Sequence, residues 1–90
     1  MVNVSKYGNT VSMRGYAQNN PFLREREVLG KTIKRIREQK KMTQEDLADK
    51  AASNVSYLAK IENGYVNTSV RYLIKIARGL SIKVKDLFEF

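Results

Sequence analysis

Residues 43–64 read TQEDLADKAASNVSYLAKIENG. Thr43 is placed to open a helix, because its hydroxyl can accept from the backbone N–H of Asp46 while the Asp46 carboxylate reaches back. Glu45 and Asp46 also sit at the positive end of the helix dipole. The helix lasts about two turns, and Leu47, Ala48 and Ala51 fall on one face of it. Asn54 is a good cap for a second short helix over 55–63, with Leu58 and Ile61 inward. Gly64 follows the last turn, where a helix-terminating glycine belongs.

Only Ala52 and Ser53 separate the two helices. A link that tight fixes the angle between them, and the small residues Ala48, Ala51 and Ala52 let them approach closely. Two short helices at a steep angle form a helix-turn-helix, whose second helix can project into a major groove.

Working outward, Asn20 can cap an earlier helix and Pro21 suits its first turn. From there FLREREVLGKTIKRIREQKK places apolar residues at 22, 29, 33 and 36, on one helical face. Downstream, Thr68-Ser69 can cap a helix in which Val70, Leu73, Ile74 and Ala77 keep i, i+3, i+4, i+7 spacing. Gly79 falls near its end. A fifth short helix around 84–88 would bring Val84, Leu87 and Phe88 to the core. The reading from residue 20 to 90 is therefore one all-α domain of five helices. Residues 1–19 stand apart as an N-terminal arm. Gly8-Asn9 suits a two-residue β-hairpin loop, but a lone hairpin is marginal in water, so a hairpin and a disordered polar arm both remain open.

Composition narrows the chemistry. Ninety residues suit one small domain, with no separate sensor or catalytic domain expected beside the core. There is no Cys and no His, which removes thiol catalysis, disulfides and the usual zinc ligand sets. No catalytic set, metal or cofactor is expected. No run of 18 apolar residues is present and residues 1–10 lack a signal-peptide core, so a cytoplasmic protein without a membrane partner is expected. The net charge of +8 points to a polyanion. That charge lies beside the central stretch: residues 24–41 hold eight basic and three acidic side chains, whereas 42–64 hold two and four. The flanks would have to supply most of the attraction for phosphate.

LGKTIKRIREQKKMTQEDLA, SYLAKIENG and LIKIARGLSIKVKDLF, in that order, resemble the Cro/C1-type (XRE) helix-turn-helix transcriptional regulators over about residues 28–88. The resemblance implies a lambda-repressor-like fold and a sequence-specific DNA-binding regulator that binds a two-fold operator as a homodimer, without a small-molecule ligand. Cro-like repressors and controller proteins of restriction–modification systems are the models. A protein-interaction module or an antitoxin on the same fold is the alternative. Carried over residue by residue, Val55, Ser56, Ala59 and Lys60 match the positions that face base edges. Gln44, Asn54, Tyr57, Asn63 and Arg37 are candidates for phosphate, and Arg37 with Glu62 matches a pair of opposite charges tying the first helix to the end of the third. The plain alternative for Lys60 is a solvated lysine, and for Tyr57 a ring packed on the second helix. Three positions depart from the family pattern: Ala52 where glycine is usual, Ser53 where an apolar residue is usual, and Thr68 where proline is usual.

Overall fold

The computed structural model describes residues 22–88, all of them helix, turn or loop. Four α-helices follow in order: α1 (Leu23–Gln39), α2 (Gln44–Lys50), α3 (Val55–Glu62) and α4 (Val70–Gly79), then a 3₁₀ turn over Val84–Leu87. The arm expected over 1–19, with Asn20 and Pro21, lies outside the described residues.

Three of the four α-helices begin on a side-chain cap. Thr43 accepts from the N–H of Asp46 at 3.0 Å while Asp46 accepts from the N–H of Thr43 at 2.9 Å. Asn54 accepts from the N–H of Tyr57 at 2.7 Å and Ser69 from that of Tyr72 at 3.0 Å. α1 starts differently: its N-cap is Phe22, in a left-handed conformation and without a side-chain cap bond.

All four helices stop in the same way. A residue with positive φ stands two places beyond the last helical one: Lys41 (61°), Ala52 (52°), Gly64 (73°) and Ser81 (59°). The next N–H then folds back on the carbonyl of the fifth residue upstream, as in Met42 to Arg37 at 3.1 Å, Ser53 to Ala48 at 2.8 Å, Tyr65 to Lys60 at 2.9 Å and Ile82 to Ala77 at 2.9 Å. This is the Schellman geometry, which satisfies carbonyls that a helix end would otherwise leave bare. Glycine occupies it once in four.

The core is one cluster. Ile33, Leu47, Leu58, Ile76, Leu80 and Leu87 carry its fully buried bulk, with Ile36, Ile61, Tyr72 and Leu73 around them. α1 packs on α3, α2 lies against α3 and α4, and the 3₁₀ turn closes against α4 and α1. Gly30 lets α1 approach α3: a Cβ there would overlap the Ile61 carbonyl oxygen and lie 2.5 Å from that of Glu62. Gly79, the last residue of α4, does the same toward α2, since its Cβ would meet Leu47 Cδ1 at 2.9 Å.

The sequence reading needs three corrections here. Phe22 is 70% exposed and precedes α1 rather than lining its inner face. In α4 the inward stripe is Tyr72, Leu73, Ile76 and Ala77, continued by Leu80, so Val70 and Ile74 face outward. Two apolar stripes share this helix, and contact with α2 and the 3₁₀ turn decides between them. The fifth helix is only a four-residue 3₁₀ turn; Leu87 reaches the core, Val84 packs at its edge and Phe88 is half exposed.

Candidate nucleic-acid interface

α2, the turn and α3 form one surface. Val55 and Ser56 open α3 on the exposed side, Lys60 follows one turn later, and Ala59 between them is half-buried. At 100° per residue these four occupy one face, opposite the buried Leu58 and Ile61. Val55 also borders a shallow hollow that it shares with Arg37, Thr43, Gln44 and Glu45.

Under that hollow lies a buried carboxylate. Arg37 Nε donates to Glu62 Oε2 at 2.7 Å and Arg37 Nη2 donates to Oε1 at 3.0 Å, a two-pronged ion pair. Arg37 Nη1 donates to the Met42 carbonyl at 2.7 Å. Gln44 Nε2 donates to Glu62 Oε1 at 2.9 Å; the reverse amide orientation would set two oxygens against each other. Both ionised side chains are nearly out of solvent, and the hydrogen bonds from Arg37 to Glu62 raise the guanidinium pKa further above its ordinary value. The end of α1, the start of α2 and the end of α3 therefore meet on one carboxylate. At the exposed mouth of α2, the hydrogen bonds from the Thr43 backbone and hydroxyl hold the Asp46 carboxyl below its ordinary pKa.

Arg37, Gln44 and Val55 thus come together around the hollow. Asn54 caps α3 at its start, whereas Asn63 caps its far end, about 13 Å away along the axis. Tyr57 lies between, half-buried, with its hydroxyl donating to Thr68 Oγ1 at 3.3 Å.

Sequence reasoning missed what surrounds these residues. Tyr72 Oη lies 3.0 Å from Ser53 Oγ, and its ring meets that of Tyr57 edge-on with centroids 4.8 Å apart. Burial pushes the Tyr72 phenol above its ordinary pKa. Lys75 Nζ donates to the Ala52 carbonyl at 3.0 Å. A tyrosine on the inner face of an otherwise aliphatic helix was the available signal, because a buried phenol needs a partner. Two of the family departures, Ser53 and Thr68, are the hydroxyls that partner the two tyrosines.

The helix-turn-helix family model (HTH_3) matches residues 33–87. The chain belongs to this family. Within it, the helix-turn-helix chain is of the Cro/C1 (XRE) type and is a DNA-binding transcriptional regulator. It is 45% identical over 59 residues to the immunity repressor protein of Bacillus phage phi105, covering 66% of this chain and 41% of that one. It therefore spans less than half the length of that repressor. Against the control protein C.BamHI of Bacillus amyloliquefaciens it is 35% identical over 66 residues, covering 72% of this chain and 82% of the relative. The crystal structure of the restriction–modification controller protein C.AhdI from Aeromonas hydrophila superposes with a TM-score of 0.71 at 29% identity, over 72% of this chain and 98% of that one. Among the described residues, no group of three or more His, Cys, Asp or Glu is placed to hold a metal ion, and no helix is long and apolar enough to cross a membrane.

Proposed function

We propose that this helix-turn-helix protein is a sequence-specific regulator that binds a two-fold operator as a homodimer in the cytoplasm, in the manner of a Cro-like repressor or a restriction–modification controller. One observation carries the reading: Val55, Ser56, Ala59 and Lys60 share the outward face of α3 at the edge of the hollow bordered by Arg37 and Gln44. A face that reads bases therefore adjoins Gln44, whose amide can hold a phosphate, whereas Arg37, the other phosphate candidate at the hollow, lies buried with its donors given to Glu62 and the Met42 carbonyl. Lys60 can donate to guanine O6 and N7, Ser56 can donate or accept, and Val55 can touch a thymine methyl. Ala59 admits close approach. Gln44 retains an amide N–H beyond the one given to Glu62, and Asn54, Tyr57 and Asn63 are the further phosphate candidates along α3. The relatives named as a phage immunity repressor and as control proteins support the regulatory role. One such domain reads only a few base pairs, which favours a dimer on two half-sites.

Binding-site selection from random duplex DNA tests this. Lys60→Ala should cost about 1–3 kcal/mol on the preferred site and relax one base position, symmetrically in both half-sites. Gln44→Ala should weaken every site by a similar factor. Binding should also weaken steeply between about 50 and 200 mM salt as counterions are displaced. A wild-type protein that enriches no sequence sinks the proposal, and an unchanged preference with uniformly lower affinity in Lys60→Ala sinks the placement of the reading face.

A further inference from the structure

A helix-turn-helix reads DNA only if the two helices keep one angle, and here the turn residue works against it. Ala52 holds φ 52°, a region that an L-residue with a Cβ enters at a cost. α4 supplies what holds the turn. Two of its side chains, one helical turn apart, reach the same short link: Tyr72 Oη meets Ser53 Oγ at 3.0 Å, and Lys75 Nζ reaches the Ala52 carbonyl at 3.0 Å. The Tyr72 ring continues inward to Tyr57 of α3, edge-on at 90°. The Tyr57 hydroxyl then donates to Thr68, in the segment leading to α4.

A continuous chain therefore runs Ser53, Tyr72, Tyr57, Thr68. The hydroxyl contact at one end fixes how far the turn stands from α4. The edge-on ring contact fixes the rotation of α3 about its own axis, since rotation would slide Tyr57 off the Tyr72 ring. Tyr72 is only 8% exposed, so it has no surface to offer to DNA. We infer that Tyr72, acting through Ser53 and Tyr57, is a positioning residue for sequence choice: it sets the angle and rotation at which α3 presents Val55, Ser56 and Lys60. This rests on the proposed function and adds a determinant of specificity that lies outside the reading face.

The test uses the full chain as wild type, Tyr72→Phe, Ser53→Ala and the double variant. Tyr72→Phe keeps the buried ring and its contact with Tyr57 and removes only the hydroxyl. Melting curves establish that each variant is folded. Affinity is then measured on the site selected by the wild type and on every single-base variant of it. Each single substitution should reduce discrimination between these sites about two- to tenfold, the range set by loss of one hydrogen bond. The double variant should lose no more than Ser53→Ala alone, because that variant already removes the shared contact, along with the bond from Ser53 Oγ to the Asn54 carbonyl at 3.3 Å. The salt slope should stay at the wild-type value, since no phosphate contact is lost. Wild-type discrimination in the folded variants overturns the inference, as does a loss that is equal on every sequence. If Tyr72→Phe does not fold, Ser53→Ala decides by the same two outcomes. A wild type without sequence preference overturns the proposed function and this inference together, whereas a sharp preference kept by the variants overturns this inference alone.

Discussion

Ala52→Gly should stabilise the domain, and the size of the gain follows from the turn. Ala52 sits at φ 52° with its side chain exposed, so removing the methyl uncovers no core. Its N–H donates to the Asp49 carbonyl at 3.1 Å, and the N–H of Ser53 to that of Ala48 at 2.8 Å; both bonds are backbone and survive the change. Relief of the left-handed conformation is worth about 1–2 kcal/mol. Against this stands the extra freedom that glycine brings to the unfolded chain, roughly 0.5–1 kcal/mol. The net gain should be about 0.5–1 kcal/mol, a rise of roughly 3–6 °C in Tm for a domain of this size. Equilibrium urea denaturation is the assay: the midpoint should rise with an unchanged m-value, the signature of altered stability rather than altered compactness. Ala52→Val should move the midpoint the other way, because a β-branched side chain tolerates positive φ worst of all. If Ala52→Gly lowers the midpoint, or Ala52→Val leaves it in place, the backbone at this position is ordinary in solution and the strain argument fails.

Other parts of the fold make separate demands. Gly30→Ala should cost at least about 2 kcal/mol, because its Cβ would meet the backbone carbonyls of Ile61 and Glu62, which cannot swing away; a wild-type melt would show that α1 and α3 are not so close. Glu62→Ala should destabilise by about 3–5 kcal/mol by leaving the Arg37 charge buried and unpaired, whereas Arg37→Met with Glu62→Met should recover most of that in the same denaturation assay. If the double variant is no better than the single, the loss is one of packing rather than of charge. The lowered pKa of Asp46 means that its contribution is present above the unfolded carboxylate value of about 3.9 and is lost as pH falls through the lower folded value. Asp46→Asn should therefore be less stable than wild type at neutral pH and show a shallower loss on acidification below about pH 4. Parallel acid profiles for the two proteins would dismiss the capping carboxylate as a contributor.

Helix starts were legible because their chemistry is local. Thr43, Asn54 and Ser69 each bond an N–H three residues on, and that interval can be read directly in the chain. Gly64 was legible for the same reason, whereas the left-handed turn at Ala52 was legible only through the resemblance, as a position where glycine is usual. Lys41 and Ser81 were not, since nothing in their side chains asks for a left-handed backbone. The face of α4 was misread because Val70 and Ile74 fit helical spacing as well as Tyr72 and Ile76 do, and only the neighbouring helices break the tie. The outward face of α3 followed from spacing once Leu58 and Ile61 were set inward. The supports of that face did not. Gln44 lies 18 residues from Glu62, and Ser53 lies 19 from Tyr72, so those bonds exist only after the helices have packed.

The four helix ends have a consequence for how such a protein can acquire a new target. Retargeting means replacing residues on α3, and most replacements lower stability before they improve recognition. Lys41, Ala52 and Ser81 occupy a geometry that glycine would enter more easily, and none of the three lies on the outward face of α3. Lys41 and Ser81, which also stand apart from the turn that sets α3, are places where tolerance for new reading residues can be gained without altering what is read. The domain thus holds unspent evolutionary headroom at its corners, separate in sequence from the surface that selection for a new operator would change.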